Sequence, residues 1–304
     1  MRIAYLGTSP FAVSVLRRLA SSPHRPALVV TPPNRPRGRG RRIAPPPAAE
    51  AAAELGLDLH QTESVNLDST VDAIRSARAD LGVVCAFGQL IKDPLLSELE
   101  LLNVHPSLVP RWRGAAPIER AIMAGDEGTG ISIMRVTAGL DSGPVALQEP
   151  LEIGERDDYG ALSARLAELG GEVLVRALDL RESGELEFAE QDDSQATYAE
   201  KISPDERRLD PARPGIELER TVRALSPHIG PYLELDGGER LGVRVARAEP
   251  GSDVQPGRLA ASGNSLVLGC ADGRLRLEVV QPGGKRPMPA DAYLRGHAVP
   301  PLAG

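Results

Sequence analysis

Residues 80–87 read DLGVVCAF, an unbroken apolar run after one acid. A strand with one wet face alternates polar and apolar residues, whereas one covered on both faces does not. This run predicts a central strand of a parallel sheet, which needs helices on either side. The chain around it supplies the alternation. Arg2 to Leu6 reads as a buried strand, and Ser9-Pro10 suits an N-cap followed by the first helical position. Phe11, Val15, Leu16 and Leu19 then recur at helical spacing toward a stop near Pro23. Strands are expected at Ala27–Val30, Leu101–His105, Gly130–Val136 and Pro144–Gln148, and helices at Ala48–Leu55, Ala115–Ala124 and Asp157–Arg181. Strand and helix taking turns in this way predict a doubly wound α/β domain.

The last third changes character. A short helix at Ile216–Leu225 precedes strand-like runs at Tyr232–Leu235, Leu241–Ala246, Ser265–Leu268 and Leu275–Val280. Asp236-Gly237-Gly238 and Asp272-Gly273 are turn signals between some of them. The expected fold class is therefore α/β: a Rossmann-like, doubly wound, mostly parallel sheet with a C-terminal OB-like β-barrel. The division follows composition: an α/β domain over residues 1–189, a polar, Pro-punctuated linker over 190–214, and a β domain over 215–304.

Charge is uneven along the 304 residues. The net is −7, yet nine arginines and no acid precede Glu50. Residues 206–304 hold 14 basic and 12 acidic groups, which leaves the stretch between at −18. Five of the arginines, Arg35, Arg37, Arg39, Arg41 and Arg42, crowd into NRPRGRGRRIAPPP, residues 34–47. Such a segment is either a solvated charge run or a contact for an anionic partner. No apolar run approaches the roughly 18 residues of a membrane span, and the first residues lack a signal-peptide core. A cytoplasmic monomer is expected. Cys85 and Cys270 sit in apolar runs and read as reduced structural thiols. Neither metal-ligand spacing, G-x-S-x-G nor a full G-x-G-x-x-G is present, which disfavours metal, serine-hydrolase and dinucleotide chemistry.

One stretch offers chemistry: NVHPSLVPRWRGAAP, residues 103–117. Asn103 and His105 are two apart at a strand end, so both point to one face. In an open α/β sheet that end borders the ligand crevice. An amide and an imidazole there suit a developing oxyanion. Downstream, AGLDSGP sets Asp141 in a Gly-flanked turn after another strand, placed to orient the imidazole or take a proton. On spacing alone, all three equally suit loop caps.

These two stretches closely resemble the motifs of the folate-dependent formyltransferases. GTSPFA, TPPNRPRGRGRR, YAEKIS and QPGGKRPM extend the likeness almost end to end, toward the branch that acts on methionyl-tRNA. Val109 stands where a second Leu is usual, and Ser9 displaces a Thr-Pro pairing. The resemblance implies formyl transfer from 10-formyltetrahydrofolate, a co-substrate, to the α-amino group of methionine on initiator tRNA, with no metal. It implies Asn103, His105 and Asp141 as the catalytic set. Ser107, Leu108, Val109 and Pro110 are implied at the folate site, with Phe87, Gly88, Gln89 and Leu90 as further candidates. The five clustered arginines, Lys285 and Arg286 are the expected tRNA contacts, Arg39 the most intimate. The related enzymes acting on glycinamide ribonucleotide match only the first ~200 residues by resemblance, and those acting on sugar nucleotides offer few phosphates to five arginines.

Overall fold

The computed structural model describes residues 1–37, 40, 42–251 and 253–302, with Arg37 described by its backbone alone. Two compact units emerge: Met1–Pro117, Gly128–Glu152 and Ser163–Ala199 form the first, and Ile118–Glu127, Ile153–Leu162 and Glu200–Gly304 the second.

The first unit begins with β1 (Ile3–Gly7), α1 (Pro10–Ala20) and β2 (Pro26–Thr31). The Ser9 side chain accepts the Ala12 N–H, with Pro10 opening the helix as its sequence predicts. Gly7 is required by close approach, since a Cβ there would stand 2.7 Å from the Tyr5 ring and 3.0 Å from Ala12. The basic stretch is not featureless. Its β3 (Arg35–Arg37) pairs antiparallel with β4 (Arg42–Ala44), Pro36 opposite Ile43. Arg39 and Arg41 lie outside the described residues. After it come α2 (Pro47–Glu54), β5 (Leu59–Gln61), α3 (Asp68–Ser76), β6 (Leu81–Cys85), α4 (Leu95–Glu98) and β7 (Leu101–His105). A two-residue strand, β8 (Arg113–Gly114), follows, and then α5 (Pro117–Ala124), which from Ile118 belongs to the second unit. The chain continues through β9 (Gly128–Arg135), β10 (Val145–Glu152) and the 25-residue α6 (Tyr159–Ser183) to β11 (Tyr198–Ala199).

Seven of these strands form one sheet in the order β10-β9-β7-β6-β1-β2-β5. From β5 to β7 every pairing is parallel; β9 and β10 add antiparallel at one edge. Both faces are covered. Ala4, Leu6 and Val84 meet Ile74 of α3 and Leu95 of α4. On the α1 side, Gly170 of α6 lies against Val104, Ile131 and Val15. Chain order reverses between β1 and β6, so the crevice opens beyond Gly7 and Cys85, beside the end of β7.

The second unit holds α7 (Gly215–Leu225), then β12 (Tyr232–Glu234), β13 (Arg240–Pro250), β14 (Leu259–Ser262), β15 (Ser265–Gly269), β16 (Gly273–Gln281) and β17 (Met288–Pro289), and ends in α8 (Ala290–Gly296). Its antiparallel sheet runs β12-β13-β16-β15-β14, with β17 added on β16. Leu218 and Val222 of α7 and Tyr293 of α8 share one core with Val243, Leu266, Leu275 and Leu277.

Cys85 and Cys270 are buried and unpaired. Burial pushes the Cys85 thiol up to about 12, a contact with the Tyr5 hydroxyl tempering the rise. Burial likewise carries Cys270 to about 11. A thiol whose folded pKa is raised holds its proton when the unfolded chain would lose it, so this stability is intact below pH 9 and lost as pH climbs toward 12. The native protein at pH 8 should therefore resist iodoacetamide, while urea-unfolded protein takes up two equivalents, counted by intact mass.

Candidate active site

Strand β7 delivers Asn103 and His105 to the crevice on one face, and the turn after β9 brings Asp141 to meet them. The Asn103 amide donates to Asp141 Oδ1 at 3.2 Å. Asp141 Oδ2 accepts the Gly114 N–H at 2.9 Å and stands 3.7 Å from His105 Nδ1. His105 is buried, and its Nε2 lies 3.0 Å from the Trp112 carbonyl oxygen. A carbonyl only accepts, so Nε2 carries the hydrogen. The ring can then donate toward Asp141 only from a protonated Nδ1, that is, as imidazolium.

Backbone geometry makes this convergence possible at a cost. Asp141 has φ +46° and Trp112 φ +61°, left-handed values that side chains rarely adopt. Gly143 closes the Asp141 turn against β9, where a Cβ would come within 1.9 Å of the Arg135 carbonyl oxygen.

The loop after His105 is pinned by one hydroxyl. Ser132 of β9, fully buried, donates to the Ser107 carbonyl at 2.6 Å. It lies 3.2 Å from the Val109 amide and 2.8 Å from Gln148 Nε2, which also donates to the Val109 carbonyl. Nothing in the spacing of the sequence singles out Ser132 or Gln148. Both become visible only when β9 and β10 line up beside β7.

A cavity of about 130 Å³ opens beside the cluster. Asn103 and Asp141 border it with Gln89, Leu90, Ile91 and Leu140. Gln89 and Leu90 thus line the cavity beside Asn103 and Asp141. Phe87, Gly88 and residues 107–110 stand outside that lining. Phe87 is buried in the core of the first unit, and the Ser107 hydroxyl is committed to the Arg111 carbonyl at 2.7 Å. Leu90 and Leu140 are both largely exposed, an apolar rim awaiting cover.

The other histidines have local partners instead: His24 with Asp179, His60 with Thr70, His228 with Glu119, and His297 with the Tyr293 carbonyl. Among the described residues no group of three or more His, Cys, Asp or Glu is placed to hold a metal ion. No helix among them is long and apolar enough to cross a membrane.

An amide, an imidazole and an anchored carboxylate gathered beside the crevice of a doubly wound sheet are the groups that an α/β enzyme acting at a carbonyl centre needs. Comparison with known proteins makes the class specific. Residues 1–178 match the formyl transferase model, and residues 201–298 match the model of the formyl transferase C-terminal domain. The chain belongs to the formyl transferase family. It is 41% identical over 301 residues to the methionyl-tRNA formyltransferase of Methylococcus capsulatus, covering 98% of both chains. Its fold is also similar to that of HypX from Aquifex aeolicus, solved with tetrahydrofolic acid, at 18% identity and TM-score 0.66 over 97% of this chain and 47% of that one. The sugar 3N-formyl transferase WlaRD gives 14% identity and TM-score 0.67, with 94% of this chain and 99% of that one covered.

Replacing Ser132 by Ala leaves the Val109 N–H and the Gln148 amide short of a buried acceptor. Ser132→Ala should cost about 1–3 kcal/mol. The measurement is a urea midpoint followed by fluorescence of Trp112, the single tryptophan.

Proposed function

We propose that this enzyme transfers the formyl group of 10-formyltetrahydrofolate to the α-amino group of methionine on initiator methionyl-tRNA, giving N-formylmethionyl-tRNA for translation initiation. The observation that carries the chemistry is the meeting of Asn103, His105 and Asp141 at the mouth of the cavity lined by Gln89 and Leu90. The near end-to-end likeness to a methionyl-tRNA formyltransferase supports the choice of acceptor.

The cavity suits a flat heteroaromatic ring: Ile91, Leu90 and Leu140 supply apolar walls, and Gln89 supplies an amide. When bound, the donor supplies an activated formyl group on nitrogen. Asn103 spends one amide hydrogen on Asp141 and keeps the second for the formyl oxygen, where negative charge builds as the amine adds. His105, held beside the Asp141 carboxylate, supplies a second polar group at the same centre. Asp141 receives the amine proton through water and returns it to the departing donor nitrogen. The new carbon–nitrogen bond forms as the old one breaks, and the proton count is unchanged.

Within this reading, residues 1–189 carry catalysis with the segment to Ala199 packed in the same unit, and 215–304 hold tRNA. Of the expected contacts, Arg35 pairs with Glu63 at 3.1 Å, whereas Arg42, Lys285 and Arg286 have no ion-pair partner among the described residues. Unneutralised cations of this kind suit a phosphate backbone.

Asn103→Ala should fold normally and lose roughly 10²–10³ in kcat, as loss of one oxyanion donor does. The assay uses labelled 10-formyltetrahydrofolate with charged initiator tRNA, set beside amino-sugar nucleotides and glycinamide ribonucleotide. Wild-type turnover in the variant, or preference for a small amine, refutes the reading. Arg39→Ala should raise KM for tRNA and leave folate affinity unchanged. Binding titrations across salt should show its log–log slope shallower by roughly 0.7–0.9.

A further inference from the structure

The segment 191–199, polar and expected only to connect, closes over the cluster from outside the sheet. Thr197 takes the Trp112 N–H on its hydroxyl at 2.9 Å and donates its own N–H to the Pro110 carbonyl at 3.1 Å. Its carbonyl accepts the Arg113 N–H at 2.9 Å, and β11 continues in parallel beside β8. The Trp112 carbonyl that fixes the His105 hydrogen is therefore held from this strap.

Gln191 occupies the most informative place in it. Its Nε2 donates to the Asp141 carbonyl at 3.0 Å and to the Gly143 carbonyl at 2.7 Å. Its Oε1 accepts Arg113 Nε at 2.9 Å, and buried Arg113 also pairs with Asp193 at 2.7 Å. Arg113 directly precedes Gly114, whose N–H binds the Asp141 carboxylate. One amide thus grips both sides of the Gly114–Asp141 bond. It also spends both its hydrogens on a turn held at positive φ, a conformation that persists only where neighbours over-determine it.

We propose that Gln191 is a positioning residue for transfer: it fixes the Asp141 turn against the Arg113–Gly114 strand, and so sets where the carboxylate meets Asn103 and His105. The proposal rests on the reading of Asp141 as catalytic. Gln191 touches no reacting atom, so its loss acts through Asp141.

The test is a double-mutant cycle on the full-length protein with methionyl-tRNA and 10-formyltetrahydrofolate. Gln191→Glu keeps the acceptor for Arg113 and the side-chain volume but sets a carboxylate against two carbonyls; Gln191→Ala removes the grip altogether. Both should lower kcat, by up to on the order of 10²-fold, as small displacements of a reacting group do. KM for each substrate should stay within about threefold, and either change should cost less than about threefold when added to Asp141→Asn. Losses that multiply fully on Asp141→Asn, or appear in KM alone, overturn the proposal, as does unchanged kcat in Gln191→Glu. Full turnover in Asp141→Asn by itself removes the catalytic reading of Asp141 and this inference with it, a pattern distinct from the others.

Discussion

The Asp141 carboxylate organises the first unit around a constraint that is easy to state. A short acid must reach from the turn after β9 to the end of β7, and it must face an amide and an imidazole without drifting. Its two oxygens are divided between Gly114 N–H at 2.9 Å and Asn103 Nδ2 at 3.2 Å, with His105 Nδ1 at 3.7 Å. The left-handed backbone at Asp141 and the close fit of Gly143 under Arg135 follow from that demand. So does the hydroxyl of Ser132, which ties the 107–109 backbone to β9 at the matching level of the sheet, opposite His105. Charged hydrogen bonds of this kind are strong only where water is held back, and the burial of His105 and Ser107 provides it.

The sheet explains why the cluster stands where it does. Parallel strands end together at their carboxyl edge, so loops after β1, β6 and β7 gather over one crevice. Strand β9 runs antiparallel to β7 and β10 antiparallel to β9, and the loop between them folds back along the sheet to bring Asp141 to Asn103. The C-terminal unit distributes charge differently. Most of its arginines are answered by acids, among them Arg208 by Glu234, Arg213 by Glu217, Arg274 by Glu249 and Arg295 by Asp291. Such surface pairs add little stability, and they leave little free positive charge on the faces they cover.

How far the sequence reaches depends on the element. Leu101–His105 is read to the residue, because its apolar run is interrupted only by Asn103 and His105. The α1 cap, the long α6 and four strands of the C-terminal sheet, β12, β13, β15 and β16, are likewise legible, whereas the short β14 and β17 are not. Strand β5 is not: it is a three-residue edge strand, LHQ, with no apolar run to announce it. Helix α3 buries only Thr70, Val71 and Ile74 and has no side-chain cap, so its periodicity is thin. The pairing of β3 with β4 is hidden for a different reason, since strands rich in Arg and Pro carry none of the usual β signals.

Local sequence by itself determined that Asn103 and His105 share a face at a strand's carboxyl end. It also determined that a glycine-rich turn presents Asp141, and that apolar strands alternate with capped helices. Those are consequences of backbone period and of which side chains tolerate which dihedrals, and they act over a few residues. Only the tertiary structure decided that Asp141 reaches Asn103, 38 positions away. It alone decided that Nε2 of His105 is spent on a carbonyl, that Phe87 turns into the core, and that Gln191 grips the turn from 50 residues away. Those facts depend on strand order and on the meeting of distant segments, and nothing local in the sequence encodes which hydrogen-bonding group finds which.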